Sequence, residues 1–579
     1  MLFLSILLFG QYIISKGDTV KVSYKEYRLD DSLIIAKEER KILIRTEEAR
    51  EYFGTIIFPY DDSTETIEVL YARTITPEGD TINVTENAIN RVAAPLVDSY
   101  PFLKNRKELH ISFLSIKPGS TIEYCVERKI KNFDYVDGIE YFRSIIPVEY
   151  GRLVFHFPQK LGLRFYKGNT EICNFSENLR DSADYRVYEI EFKNVPEIVK
   201  NEWGGFPPTH LISPYVMFTT FPSWDSLISY ISFHYRKLEA IKPQKMELSK
   251  LKELSKKINS PEWENFKIQG YVPIDRNRSA SFYTMTYPEK ILRIFSSFEG
   301  LSLALVLRYG YDTLNLIPSL SAIENIVLYD GIRFLFPIQS EEKVLSTPYE
   351  GHIALVLSSD LNSYSVEQIG FRDVLSETLF IDIPRKLISF SSWVPSSRLL
   401  RSYSWSRRSR VDFEDAEKFI PRSKFSIYGV IKDFAASLKY ENVPDKPYFI
   451  SGRVKYKSIG SQIGKYLILY IPEMPKIEPE LFKNGYYLNR WDVSKRNVCF
   501  IVKVPKGYRV KYAPQPVSYE DDKVSLIRDV EYNRGLVIIK QSMAFLKRYF
   551  EYEDLVKMTR SPEFVNLTSP QVIIFERKR

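Results

Sequence analysis

The residues best suited to nucleophilic or metal chemistry are three cysteines and five histidines, and their spacing supports little of it. Cys125, Cys173 and Cys499 lie far apart with no CxxC pair, which excludes a disulfide scaffold and a cysteine-rich zinc site. One pair would close in an oxidising compartment and leave a thiol over. The plainer reading is three buried thiols packing as small hydrophobes. His110, His156, His210, His234 and His352 are scattered. No HExxH or H-x-H spacing occurs, so no metal site is expected. No P-loop or GxGxxG occurs either. Asp134 to Phe142 reads DYVDGIEYF, an acidic loop without the alternating ligands of a calcium site. With 73 acidic residues, some carboxylates meet in pairs by chance, so glycosidase chemistry stays open without a named pair. Arg398, Arg401, Arg407, Arg408 and Arg410 are interleaved with Tyr403 and Trp405. Guanidinium forks there would grip acidic glycans or lipid headgroups. The favoured reading is a basic linker or edge strand whose charges discourage pairing.

A chain of 579 residues must position these groups on about two to four domains. Apolar residues at 44% and charged residues at 27% are globular values, and 40 Tyr with 37 Phe lean towards strands. A net charge of +8 over this length is no nucleic-acid footprint. The start, MLFLSILLFGQYIISKGDTV, carries an apolar run from Leu2 to Phe9 and a small residue, Gly10. Residues 1–17 read as a secretory signal, too short for the roughly 20 residues of a membrane span. A buried first strand is the alternative, since no Lys or Arg precedes the run. No other stretch reads as a span. An exported protein, periplasmic or at the cell surface, is expected.

From Val20 to about Tyr215 short strands alternate with turns, as in RKILIRT (Arg40 to Thr46) and ETIEVLYARTITPEGD (Glu65 to Asp80). Lys117-Pro118-Gly119-Ser120 separates two further strands. The pattern predicts an antiparallel β-sandwich. At Ser223, a good N-cap, the period becomes helical, with Trp224, Leu227, Ile228, Ile231, Tyr235 and Leu238 on one stripe. A second helix is expected over Glu247 to Ile258. A third starts at Pro288 and runs through LSLALVLRYG to Gly310. IENIVLYDGIRFLFPI then reads as a hairpin about Asp330-Gly331. Strands resume from Phe425, a short helix covers Phe545 to Met558, and QVIIFERKR is the last strand.

The order of these blocks resembles a family of exported bacterial proteins with an N-terminal β-sandwich domain of unknown function, a transglutaminase-like domain and a C-terminal β domain. LYARTITPEGD, LSIKPGSTIEY, FPPTHLISPYVMFTTFPSWDSL, YENVPDKPYFISGRV and VPKGYRVKYAPQPVS carry the resemblance. It implies a papain-like arrangement in which a Cys at a helix start attacks an amide, a His acts as base and an Asp orients the His. In the family the Cys precedes a Leu-rich helix ending in Arg and Gly. Its place here falls among Phe295, Ser296, Ser297, Phe298 and Glu299. The His aligns with Glu324 or Asn325, and the Asp with Phe336, which a two-residue turn would set opposite Asn325. No triad residue survives at these positions. Ser296 or Ser297 with His352 is the substitute considered. The bland alternative makes the serines helix-surface residues and His352 an exposed or core-edge histidine.

The expected fold class is therefore multidomain and mainly β. Residues 18–215 form an antiparallel β-sandwich, 216–386 a degenerate α+β, papain-like (transglutaminase-like) domain, and 387–579 a C-terminal β-rich domain. No catalytic, cofactor-binding or metal-ligating residue and no cofactor are expected. The expected role is non-catalytic binding or scaffolding in the bacterial envelope. The partner would be a peptide, a glycan or an envelope protein, and neither nucleic acid nor a membrane span beyond the signal. The alternative is an amide- or glycan-processing enzyme using a Ser–His or carboxylate pair.

Overall fold

A computed structural model of the chain describes residues 17–239 and 302–578 apart from short internal stretches, the longest being 98–104, 200–205, 396–421 and 440–447. The signal segment, the second helix, residues 288–301 of the third and the arginine run lie outside the described residues. What is described is mainly β.

Strand alternation in the first third builds one eight-stranded sheet. Its order is β12 (Asn174–Asp181), β13 (Tyr185–Val195), β10 (Val148–Pro158), β1 (Thr19–Leu29), β2 (Leu33–Leu43), β8 (Thr121–Lys131), β4 (Glu65–Ile75) and β5 (Thr81–Asn83). Neighbours are antiparallel except β1 and β10, which run parallel. Two small sheets pack on one face. One has the order β3 (Thr55–Asp61), β7 (Arg106–Ser112), β6 (Ile89–Ala93). The other has β11 (Arg164–Gly168), β14 (Tyr215–Thr219), β9 (Asp137–Tyr141). Ile42, Tyr124 and Phe155 of the large sheet share a core with Phe58, Leu109 and Ile111 of the first cover and Val216 and Phe218 of the second. The Lys117–Ser120 turn thus joins β7 to β8, strands of different sheets. Gly119 supplies the positive φ, +95°, that the turn requires.

The middle block is a six-stranded antiparallel sheet. Its order is β18 (Lys343–Ser346), β17 (Phe334–Ile338), β16 (Ile323–Tyr329), β15 (Ser302–Leu307), β19 (Ile353–Leu357) and β20 (Tyr364–Gln368). The expected first helix is present as α3 (Trp224–Glu239), after α1 (Glu47–Phe53) and α2 (Thr209–Ile212). Ser223 Oγ accepts the Ser226 N–H at 3.1 Å, and Leu227, Ile228 and Ile231 pack on Leu303, Leu305 and Leu307. The third helix is corrected, because residues 302–307 are β15, a central strand. Its odd positions enter the α3 core while Ala304 and Val306 enter a second core with Val327, Ala354 and Val356. A strand buried on both faces loses its alternation and reads like a helix. The hairpin is present, but Tyr329 pairs with Phe334 and Leu328 with Leu335. This register differs by two residues from the expected one, so Phe336 does not lie opposite Asn325.

The last block is an eight-stranded sheet in the order β23 (Gly429–Lys439), β24 (Tyr448–Ile459), β22 (Leu387–Val394), β21 (Val374–Asp382), β28 (Lys495–Lys503), β32 (Leu536–Phe545), β31 (Val524–Asn533), β30 (Val517–Glu520). A four-stranded sheet, β25 (Ser461–Ile463), β26 (Tyr466–Ile471), β34 (Gln571–Arg577), β29 (Tyr508–Tyr512), shares its core. A two-stranded pair joins β27 (Tyr486–Tyr487) to β33 (Tyr549–Phe550). β21 precedes residue 387 yet pairs with β22 and β28 of this sheet. The short helix begins later than expected, as α4 (Tyr552–Arg560), followed by α5 (Pro562–Leu567), because β32 extends to Phe545.

Candidate functional site

The positions expected for a thiol, Phe295 to Glu299, lie outside the described residues, and with them Ser296 and Ser297. All three cysteines are free, with Cys125 on β8, Cys173 after a short turn and Cys499 on β28, so none lies on the central sheet. Burial pushes each thiol above its ordinary pKa, the opposite of an activated nucleophile. Glu324 is exposed, whereas Asn325 is half-buried on β16. Asn325 Nδ2 donates to the Tyr349 hydroxyl at 2.8 Å, and its Oδ1 accepts the Ile326 N–H at 2.8 Å.

Tyr349 leads to the histidine. The turn before β19 brings the His352 ring edge-on to Tyr349, with centroids 5.3 Å apart, and to Tyr309, at 5.4 Å. His352 is only 2% exposed, which corrects the reading of an exposed or core-edge residue. Its Nδ1 lies 3.3 Å from the Glu350 carbonyl, and its Nε2 is buried with no hydrogen-bond partner. A carbonyl beside Nδ1 places the proton there and leaves Nε2 as a bare acceptor. Arg548 closes the cluster from the C-terminal block. Its Nε donates to the Glu350 carbonyl, its Nη1 to the Leu488 carbonyl at 3.0 Å, and its backbone N–H to the Tyr309 hydroxyl at 3.0 Å.

A second imidazole meets the same tyrosine. His210 of α2 places Nε2 2.8 Å from the Tyr309 carbonyl, with its ring 4.9 Å from Tyr311. Tyr309 is thus the point where all three blocks meet. Burial drives both imidazoles down to about 3, with Arg308 adding to the effect at His210 and Arg548 at His352. Both stay neutral in any near-neutral buffer, so neither is poised to shuttle protons. The imidazole NMR signals of His210 and His352 will show no titration between pH 5 and 8, while a midpoint near 6.5 for either would overturn this.

Asp137, in the acidic run dismissed as a calcium loop, ties β9 to the central block. Its Oδ1 accepts from Ser319 Oγ at 3.0 Å and the Ser321 N–H at 3.2 Å, and its Oδ2 accepts the Leu320 N–H at 3.3 Å. Burial pushes its carboxyl up to about 6, which the donors offset only in part. A folded pKa above the unfolded value means the folded state holds the proton more tightly. The resulting stabilisation is complete below about pH 4 and lost as pH rises through about 6. The melting-temperature difference between the parent and Asp137→Asn will shift against the parent across this window. A difference independent of pH would refute the assignment.

Of the remaining histidines, His110 pairs with Glu108 at 2.8 Å and His156 with Glu26 at 3.1 Å. No cluster of three metal-type ligands occurs among the described residues.

Comparison with known proteins adds two findings. Residues 34–199 match DUF3857, a domain of unknown function with a solved structure. The match covers the large sheet apart from β1, and its covers apart from β14. The fold of the whole chain is similar to the crystal structure of a "putative protease" from Parabacteroides distasonis, with a TM-score of 0.56 and 12% identity. The likeness covers 97% of this chain and 100% of that one. No curated protein matches the chain. The protease description points towards an enzyme and corrects the expectation of a protein without activity.

Proposed function

We propose that this is an exported protein of the bacterial envelope, with a transglutaminase-like central domain, that acts on peptide amide bonds without a thiolate. The fold similarity to a protein given that protease description supports peptide as the substrate class. The observation that carries the second half is the placement of the thiols, all off the central sheet and all with raised pKa values. Asn325, Tyr349, His352 and Tyr309 are the polar groups that converge at the end of that sheet. Neutral His352 would accept a hydrogen bond there, a positioning role, because its depressed pKa makes it a weak base.

The test is mass spectrometry of a defined peptide mixture incubated with the full chain. Cleaved or transferred peptides are expected, at a rate unchanged by iodoacetamide and in the Cys125→Ser/Cys173→Ser/Cys499→Ser variant. An unaltered peptide mixture, or activity abolished by alkylation, defeats the proposal.

A further inference from the structure

Outward-facing strand positions in a β-sandwich are normally polar. The open face of the large sheet in the first block obeys this, laced by ion pairs such as Lys41–Glu123, Arg73–Glu123 and Arg152–Glu189. The four-stranded sheet of the C-terminal block does not. Leu467, Leu469, Ile573 and Phe575 point into the core it shares with the eight-stranded sheet. The alternate positions therefore point outwards, and they are apolar as well. Ile468 of β26 pairs with Ile574 of β34, and Ile574 with Tyr512 of β29. Tyr470 pairs with Val572 in the next row, and Ile463 of β25 with Tyr466. Ile463, Tyr470 and Tyr512 are 61%, 47% and 41% exposed, while Ile468, Val572 and Ile574 are half-buried. Cross-strand neighbours on one face stand about 5 Å apart, so these side chains form one continuous apolar surface open to water.

The free charges around this surface are of one sign. Lys465, Lys506, Arg509, Lys511, Arg577 and Lys578 are all exposed, on these strands or in the loops that join them. Glu576 is the one carboxylate on the four strands. It is already held by Lys465 at 2.8 Å and Arg509 at 2.7 Å, which keep it well below the usual carboxylate range. The other four cations make no ion pair with a described residue.

We propose that this face rests on a lipid surface with anionic headgroups. The aliphatic side chains and tyrosine rings enter the interface, where each ring keeps its hydroxyl at headgroup level. Lysine and arginine stems lie along the apolar surface and present their charge to phosphate. A second copy of this chain is the poorer match, because it brings the same cations and no free carboxylate to meet them. The face lies in the C-terminal block, apart from the His352 cluster, and it needs none of the groups assigned to amide-bond chemistry.

The experiment is co-sedimentation of the full chain with vesicles of phosphatidylcholine alone and of phosphatidylcholine mixed with phosphatidylglycerol. The mixed vesicles should bind at least about tenfold more tightly, and raising salt from about 0.05 M to about 0.5 M should remove most of that difference. Ile463→Ser/Tyr470→Ser should weaken binding to the mixed vesicles at least about tenfold, and Lys506→Gln/Lys511→Gln should weaken it at least about threefold. Lys540→Gln, on the opposite outer face of the sandwich, should change it by less than about twofold. Melting curves verify that each variant is folded. No pelleting with the mixed vesicles, equal pelleting with phosphatidylcholine alone, unchanged binding in either folded double variant, or an equal loss in Lys540→Gln each overturns the proposal. So does a dimer in sedimentation velocity that Ile463→Ser/Tyr470→Ser dissociates, which would assign the face to a second copy.

Discussion

Replacing Arg548 with methionine will destabilise the protein by about 2–5 kcal/mol, read by urea denaturation of the full chain. The residue is 2% exposed and its side chain spans two blocks of the fold. Its removal leaves the Glu350 and Leu488 carbonyls without the donors they now have, inside protein where water does not replace them. It also removes the cation 3.8 Å from the Glu350 carboxylate, itself 5% exposed. Methionine fills much of the volume, so the loss is polar rather than a cavity. Arg548→Lys should fall between, because it restores charge without the fork. A second readout separates this from general loosening. Arg548 is one of the groups holding the His352 imidazole down, so its loss should raise that pKa, although burial, the larger cause, keeps it below 6.5. A variant within about 0.5 kcal/mol of the parent would show that the bridge carries no stability.

The parts of this fold legible in the sequence are those where one face of an element is wet. Val20 to Tyr215 alternates because the large sheet has one covered and one open face. Trp224 to Ile231 shows its period because α3 buries a stripe. The reading fails where that asymmetry disappears. SLALVL is buried on both sides, so nothing in its pattern separates strand from helix. Lys25, Glu38 and Arg40 fail in the opposite direction, being charged residues on a covered face that look like a solvated one. The candidate site was hidden for a further reason. Tyr309 and His352 of the central block and Arg548 of the C-terminal block lie far apart in sequence and meet only because these two blocks converge. A search for local spacing has no access to such a contact. Asp137 was visible as an acidic residue, but its partners Ser319 and Ser321 were not.

The aromatic excess is the one compositional feature with a specific structural use, and Gly151→Val tests it. Four glycines stand directly across a strand pair from an aromatic residue: Gly138 from Phe218, Gly151 from Phe192, Gly168 from Tyr215 and Gly452 from Phe390. In each case the ring lies over the glycine, where a Cβ would stand. At Gly151 the overlap is most severe, 1.9 Å from an added Cβ to the Phe192 ring. Phe192 has little room to move, being 3% exposed and stacked on Phe142 at 4.0 Å with 15° between planes. Adding a side chain here therefore forces the ring off its stack, which costs about 1–3 kcal/mol or more. Phe192→Ala alone should cost about 3–5 kcal/mol through the cavity it leaves. The double variant should be at least about 1 kcal/mol better than the sum, because valine then fills space the ring vacated. Strict additivity of the two changes, measured by denaturation, would mean that the glycine and the ring are not coupled. The pairing would then be an accident of composition, not a means of seating large rings on a twisted sheet.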